Sequence, residues 1–402
     1  MMFNNANFNF GVNIIGHVSG EFGLGGGVRG TIKAIEAANI PFTIRDLKED
    51  SQRNLDSTYT NFSSKPSYPI NIVHTNPHES LLNSIDTEFF KDRYNIGFWI
   101  WELPVFPDIW MGAFNRFDEV WTYSNYTAET ISDVSPLPVV KLPPSIYLPP
   151  NTLDREALGL PKDKFIFLFM FDMGSGFERK NPFATIEAFK KAFDKSNQDV
   201  LLIIKFRPHP AYQNQYQELK SMTEDWPSIQ FIEGHLSKEE VHGLVDNCNC
   251  YVSLHRAEGF GLTMAEAMYY GKPVIATAYS SNTDFMNVGN SFLVRYELIA
   301  TTEAYGLYPK GSIWAEPDID HASYLMQYVF QNYSEAQEVG VRGAKEIRSL
   351  FDPEVIGKKI RHRLEYIGRT IEEKNFFESQ AQAWKKSALQ SQRELDRLKF
   401  KV

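Results

Sequence analysis

The sequence predicts an α/β protein of two doubly wound domains facing a cleft, with a helical extension at its C-terminal end. Three observations predict it. The 402 residues are too many for one typical core and suit two α/β domains of similar size. Short apolar runs alternate with helical patterns in two successive series. A cluster of prolines separates those series. Hydrophobic content of 43% with 23% charged residues excludes wholesale disorder.

In the first series, 12–18, 42–45, 70–74, 96–100 and 119–123 read as strands, and 28–38, 107–114 and 126–133 as helices. Strand–helix alternation of this kind implies a mostly parallel sheet covered on both faces. Pro136, Pro138, Pro143, Pro144, Pro149 and Pro150 follow. Proline removes backbone donors and restricts the residue before it, so this segment reads as the interdomain linker. The domains are therefore expected over 1–150 and 151–340.

The second series opens with 165–171, an apolar run fit for a central parallel strand. Strand patterns at 200–205, 229–232, 250–254, 274–278 and 292–294 continue it, with helical patterns at 182–194, 212–222, 238–247 and 264–270. From Asp318 onward the pattern is helical, and 341–402 reads as helices crossing back to the first domain, a short coiled coil, or both. Phe377, Ala381, Trp384, Ala388, Ser391, Leu395 and Leu398 recur at alternating spacings of four and three, a short heptad seam. It would pair with another chain or lie across the first domain; its shortness and its serine favour docking.

The formal net charge of −9 argues against broad attraction to nucleic acid, while leaving room for a local basic groove. Cys248 and Cys250, the only two cysteines, exclude a disulfide framework and point to the cytoplasm. Their C-x-C spacing lacks the nearby partners of a zinc site, so a buried strand is the better reading. The opening MMFNNANFNFG has no basic region followed by an apolar run, unlike a signal peptide. No stretch is long and apolar enough to span a bilayer, so any membrane contact is expected to be peripheral, at the inner face.

The most informative run is Ser253-Leu-His-Arg-Ala-Glu258-Gly259-Phe260-Gly261-Leu262-Thr263-Met264-Ala-Glu266-Ala-Met268. It follows a strand and opens a helix. Thr263 and Glu266 spell a capping box, with Gly271 and Pro273 as stop signals, which pins the helix start near Thr263. Gly259 and Gly261 lie just before it, where glycine lets backbone approach a ligand. Free N–H groups and the positive helix end then face the cleft, a site for phosphate or a sugar hydroxyl. Taken singly, Glu266 is explained by capping and Glu258 by a solvated loop. Together with the glycines they make a specific combination.

This run resembles the large family of retaining nucleotide-sugar glycosyltransferases numbered four, which have the GT-B fold of two Rossmann-like domains. The family's hallmark is E-x7-E within E-G-F-G-L-x-x-x-E-A-M, matched over 258–268. The resemblance covers most of 165–294 strongly and the first domain more loosely. It implies that Glu258 contacts the transferring sugar. It further implies that backbone groups of Gly259, Phe260, Gly261, Leu262 and Thr263 hold sugar and diphosphate, and that Glu266 binds the ribose. Some bacterial surface-polysaccharide and lipopolysaccharide enzymes of the family share the G-E-F-G-L-G and W-E-L-P runs found here.

Phe171-Asp-Met-Gly-Ser-Gly-Phe-Glu-Arg179-Lys180-Asn-Pro182 supports the same reading. Pro182 fits a first helical position, so Arg179 and Lys180 stand at a helix start, where cations are unfavourable without an anion. Two surface cations are the alternative. The family places an arginine six residues before its phosphate-binding lysine, and that position holds Gly174. Arg179 or Lys205 would have to substitute.

The first domain offers Gly16-His-Val-Ser-Gly20-Glu-Phe-Gly23-Leu-Gly25-Gly26-Gly27, placed between the first strand and the first helix. By the resemblance this loop, with Gly23 and Gly25, closes over the diphosphate and the acceptor. Gly25-x-Gly27-x-x-Gly30, with Asp46 ending the next strand, also spells a dinucleotide fingerprint and supplies the alternative of a nicotinamide-dependent oxidoreductase. His74-Thr-Asn76-Pro-His78 ends the third strand, and one of His74, Asn76 and His78 is expected at the donor sugar. Trp99-Ile-Trp101-Glu102-Leu-Pro104 ends the next strand. Trp99 and Glu102 suit a sugar acceptor, since ring faces stack on aromatics and acids accept hydroxyls; core packing is the competing reading of the tryptophans. Asp318-x-Asp320 resembles a metal-binding D-x-D but follows Pro317 and opens a helix, so N-capping explains it.

The expected function is metal-independent transfer of a sugar, with retention, from a UDP- or GDP-sugar to a glycan, lipid-linked or other acceptor, with no cofactor. A sugar-nucleotide-binding partner subunit without activity is the non-enzyme alternative, and homo-oligomers through the C-terminal helix fit the seam.

Overall fold

Unbroken apolar runs make parallel strands that must be covered on both faces, and two such sheets form the centre of the protein. The computed structural model describes residues 9–48 and 53–399, with side chains as far as 393. The opening residues 1–8, on which the signal-peptide reading partly rests, lie outside the described residues.

The first sheet holds β1 (Val12–Gly16), β2 (Phe42–Asp46), β3 (Ile70–His74), β4 (Tyr94–Phe98), β5 (Glu119–Thr122) and β6 (Val139–Lys141). They are all parallel, in the order β2-β1-β3-β4-β5-β6. The second holds β7 (Phe165–Asp172), β8 (Val200–Arg207), β9 (Ile229–Glu233), β10 (Cys250–Ser253), β11 (Val274–Thr277) and β12 (Phe292–Val294). Its parallel order is β12-β11-β10-β7-β8-β9. The chain thus folds the same doubly wound pattern twice. Each order reverses once, between β1 and β3 and between β7 and β10. At such a switch point the connecting loops part and leave a crevice beyond the carboxyl ends of the strands.

Four local readings of the sequence are corrected. The proline segment is not all linker, because β6 pairs with β5 and the Pro138 carbonyl accepts from Val120 N–H at 2.9 Å. An edge strand needs partners on one side only, so flanking prolines are tolerated there. The run 107–114 forms a 3-10 helix, Asp108–Arg116, instead of an α-helix. The pattern at 182–194 is a helix over Pro182–Ala192, preceded by a separate single turn, Phe177–Lys180, so Arg179 and Lys180 end one helix before the next begins.

The fourth correction concerns the glycine-rich run, which is helical from Gly23, in a helix Gly23–Ala37. A Cβ at Gly25 would lie 2.1 Å from the Gly20 carbonyl, and one at Gly27 2.2 Å from the Tyr123 hydroxyl. Those glycines let a helix press against its own entry loop and the sheet. The first strand accordingly stops at Gly16.

An antiparallel hairpin, β13 (Tyr296–Ala300) and β14 (Ile313–Pro317), has no counterpart in the sequence reading. Asp318 then caps the helix Ile319–Gln331 by accepting from His321 N–H at 2.9 Å, as its N-cap reading requires. Helices Tyr333–Leu350 and Pro353–Lys399 follow. The last one crosses back to the first domain through Ile356, Ile360, Leu364 and Ile367, a buried stripe at i, i+4 and i, i+3 spacing facing the helix Gly23–Ala37. Arg361 anchors it on the Ala38 carbonyl at 3.0 Å. The heptad seam lies beyond this stripe and does not dock: Phe377 is 68% and Trp384 76% exposed. The Leu395 and Leu398 side chains of that seam lie outside the described residues. Cys248 and Cys250 are buried free thiols. Among the described residues no helix is long and apolar enough to cross a membrane.

Candidate active site

The second sheet's switch point puts the loops after β7 and β10 side by side. After β7 the Asp172 carboxylate accepts from Gly174 N–H at 2.8 Å, and Gly176, at φ +95°, turns the chain into the helical turn Phe177–Lys180. That turn delivers Arg179 and Lys180 to the crevice. Arg179 is buried and ties the two loops together, donating to the Ala257 carbonyl at 2.8 Å and the Ser175 carbonyl at 2.7 Å. Its guanidinium also lies 3.3 Å from Glu258 Oε2. Lys180 Nζ donates to Glu258 Oε1 at 2.5 Å. Burial alone would raise the Glu258 carboxyl, but Lys180, Arg179 and His255 outweigh it and hold the group at about 2, an ionised carboxylate. Burial lowers Lys180 from its ordinary value, against the pull of Glu258.

The helix after this loop, Leu262–Tyr269, has Gly261 as its N-cap at φ +92°, ψ 47°, a left-handed conformation that favours glycine. No side chain caps it, so the capping box read from Thr263 and Glu266 is not formed. Met264 and Ala265 N–H both reach back to the Gly261 carbonyl at 3.1 Å. Leu262 and Thr263, whose N–H groups have no acceptor within their own helix, line the cleft. Glu266 is thereby released from capping and faces the cleft too. Burial pushes its carboxyl up to about 7, with Arg29 of the first domain pulling the other way.

The first domain closes the crevice, which encloses about 730 Å³ lined from both sides. Backbone contact is tight where Gly259 meets Ile100: a Cβ there would lie 2.3 Å from Ile100 Cγ2. Asn76 lines the cleft and accepts from Ile100 N–H at 2.8 Å. His78 is exposed at the cleft, edge-on to the Trp110 ring at 5.0 Å. Glu102 lies 3.9 Å from the Arg179 guanidinium and accepts from the Tyr308 hydroxyl at 3.2 Å. Gly23 lines the cleft as well.

Three first-domain expectations are corrected. His74 is fully buried, paired with the Tyr123 hydroxyl at 2.8 Å and packed on Phe98 at 4.3 Å. Burial drops its imidazole to about 3, so it is a neutral core residue. Trp99 is fully buried among Phe106, Phe114 and Phe117. Gly25 packs inward on Gly20 instead of lining the cleft. Both strand-end residues still belong to a ladder covered on two faces, since His74 pairs with Phe98 and Trp99 N–H donates to Trp121 at 2.9 Å. In the second domain the Phe260 ring joins the core against Phe285 and Phe351, so only its backbone faces the cleft.

Lys205, at the end of β8, reaches the cleft half-buried, whereas Arg179 is already committed to two carbonyls. Arg207 lies beside it, in an ion pair with Asp172. Sequence reasoning missed Arg29, which lines the cleft while donating to the Val18 and Gly20 carbonyls at 2.8 and 2.7 Å and pairing with Asp56 at 3.1 Å. A cation two positions after the last of the clustered glycines was the available signal. The dinucleotide fingerprint fails on the same helix. Gly25, Gly27 and Gly30 all fall inside Gly23–Ala37, past the turn where a pyrophosphate would sit.

Two Rossmann-like sheets joined in this way have solved counterparts. Sucrose-phosphate synthase from Thermosynechococcus elongatus superposes with a TM-score of 0.64 at 16% identity, covering 89% of this chain and 99% of that one. HepE of Anabaena, solved with UDP and glucose, gives 0.63 at 14% identity over 89% and 100%. S. aureus TarM, solved as a point mutant with fondaparinux, alpha-GlcNAc-glycerol and UDP, gives 0.54 at 14% identity over 73% of this chain. The chain spans 55% of TarM's length. The protein has the GT-B fold of glycosyltransferases. Residues 150–296, the stretch that carries Lys180, Glu258 and Glu266, match the family model of glycosyl transferases group 1. No curated protein sequence matches the chain.

Proposed function

We propose that the protein is a retaining glycosyltransferase that moves a sugar from a UDP- or GDP-sugar to a glycan or lipid-linked acceptor without a metal ion. One observation carries the reading: Lys180 and Glu258 are paired at 2.5 Å beside the uncapped start of the helix Leu262–Tyr269, with Glu266 further along the same cleft. Charge, amide donors and a ribose-seeking carboxylate then follow one another as sugar, diphosphate and nucleoside do. That HepE was solved with UDP and glucose in the same fold supports a uridine donor.

In this mechanism the donor diphosphate lies between Lys180 and the N–H groups of Leu262 and Thr263, with Lys205 as the second cation. The bond from the anomeric carbon to the phosphate oxygen breaks, and fixed donors stabilise the charge that develops on that oxygen. The acceptor oxygen bonds to the anomeric carbon on the same face, and its proton passes to the leaving phosphate. No protein nucleophile is required. Contact between Gly259 and Ile100 keeps water from the reacting carbon.

The experiment is a melting panel with UDP, GDP, ADP and their sugars, alongside NADH. Stabilisation by one nucleoside diphosphate and its sugar, with transfer that persists in EDTA, is expected. Stabilisation by NADH alone, or transfer that EDTA abolishes and manganese restores, overturns the reading. Binding without transfer or slow hydrolysis would instead make the protein a non-catalytic partner.

A further inference from the structure

The hairpin between β13 and β14 belongs to the second domain, yet its tip reaches the first. The tip is a built element. Thr301 N–H and Oγ1 donate to the Ser312 and Pro309 carbonyls at 2.8 and 3.0 Å, and Tyr305 and Tyr308 exchange backbone bonds at 2.9 and 3.0 Å. The Tyr305 ring stacks on buried Trp314 at 5.4 Å, which fixes the tip to its own strand. Held this way, Tyr308 places its ring 5.4 Å from Trp101 and donates its hydroxyl to Glu102 Oε2 at 3.2 Å.

Glu102 is not saturated by these contacts. A carboxylate offers about four acceptor positions. Here one hydroxyl and a guanidinium 3.9 Å away leave it room for further donors, and its side chain stays 19% exposed towards the cleft. Glu102 also faces the same Arg179 that touches Glu258, so this carboxylate lies next to the end of the cleft where the sugar is transferred. Aromatic edges around a carboxylate that still accepts hydrogen bonds make a surface for a ring bearing hydroxyl groups.

We propose that the hairpin tip, through Tyr305 and Tyr308, completes an acceptor subsite with Glu102, backed by the buried Trp101, and that this subsite takes a sugar ring with a hydroxyl directed at Glu102. The inference rests on the glycosyltransferase reading and deepens it. Tyr308 acts as a positioning residue, since its hydroxyl orients the carboxylate. Because Tyr308 and Glu102 come from different domains, the subsite exists only when the cleft is closed.

Ligand-observed saturation-transfer NMR tests it, using p-nitrophenyl α- and β-glycosides of glucose, galactose, mannose and N-acetylglucosamine with the full chain and UDP. At least one glycoside should show saturation of its ring protons. Glu102→Gln should weaken that glycoside at least tenfold and Tyr308→Phe about fivefold, while the Kd for UDP moves less than twofold. Tyr308→Phe keeps the ring and so separates the hydroxyl from packing. Unchanged glycoside affinity in both variants overturns the subsite, as does a wild type that binds UDP but none of the glycosides. Loss of UDP affinity in parallel with glycoside affinity overturns it too, by making the residues structural. A wild type that binds neither UDP, GDP nor ADP defeats the donor reading itself, a result distinct from all of these.

Discussion

The two walls of the cleft are made of different materials. On the second domain, Arg179 and Glu258 are buried and Lys180 half-buried, three charges that pair with one another at 3.3 Å and 2.5 Å. On the first domain, glycine backbone, the Asn76 amide and aromatic rings share the lining with Glu21, Arg29 and Glu102, which do not pair with one another. A wall of mutually paired charge is preorganised for a ligand that carries charge, since its dipoles need not reorient when a bond ionises. A wall of backbone and rings contributes shape, exclusion of water and contact with neutral hydroxyls. In the proposed reaction this difference would give leaving-group chemistry to the second domain and closure to the first.

The largest expected effect breaks or confirms that division directly. Lys180→Ala removes the ammonium beside Glu258, and transfer should fall about 100- to 1000-fold, as when one donor to a developing anion is lost. His74→Gln, at one of the three positions the sequence offered for the donor sugar, should lower melting temperature while leaving kcat/KM of the folded protein within about threefold, because the His74 side chain is fully buried and packs on Thr31, Tyr123 and Phe98. Steady-state kinetics with thermal melts read both. Equal kinetic losses in the two variants would abolish the distinction between the walls.

Closure comes next. Gly259→Ala sets a Cβ 2.3 Å from Ile100 Cγ2, a methyl of a β-branched side chain that is stiff about χ1 and can yield only by leaving its preferred rotamer or shifting its backbone. Overpacking of this kind costs about 1–3 kcal/mol, so kcat/KM should drop about five- to 150-fold as the closed state is disfavoured. Gly26→Ala makes the sharp contrast. Its nearest neighbour across the cleft is Leu262 Cδ1 at 3.9 Å, an ordinary contact, so activity should stay within about twofold. Matching losses would mean that the domain contact at Gly259 has no special role.

The same difference in material explains what could be read from residues alone. Charges and glycines at fixed spacing announce themselves, which is why Lys180, Glu258 and Glu266 reach the cleft as expected. Aromatic and histidine side chains at strand ends do not, because a core and a sugar site call for the same residue types. His74 and Trp99 still sit inside the ladder, whereas Asn76, His78 and Glu102, past the last paired residues, turn outward. The hairpin β13–β14 was missed for a related reason: Tyr296–Ala300 is exposed along its whole length, so no buried face marks that strand in the sequence. The capping box misled in the opposite direction. Thr263 and Glu266 have the right spacing, but Gly261 bends the chain before they can cap, and a left-handed glycine followed by other residues is invisible to a four-residue pattern.

That displaced glutamate gives the smallest effect and the finest test of the comparison. Glu266 has a folded-state pKa near 7 against an ordinary value of 4.5, because burial disfavours its ionised form and Arg29 offsets this only in part. Between those two values the folded protein holds a proton that the unfolded chain has released, so stability is full below pH 4.5 and declines as pH rises through the window. Water at the open edge of the cleft screens part of the cost, which leaves it at about 1 kcal/mol. Glu266→Gln, neutral throughout, should therefore match the wild type at pH 4.5 and melt about 2–4 °C higher at pH 8. A ribose whose hydroxyls donate to the carboxylate favours the ionised form, so wild-type affinity for UDP should rise with pH through about 7 and that of the variant should stay level. If the melting gap appears without the affinity slope, Glu266 is a desolvated acid of the second wall that no ribose meets, and the nucleoside lies elsewhere in the cleft.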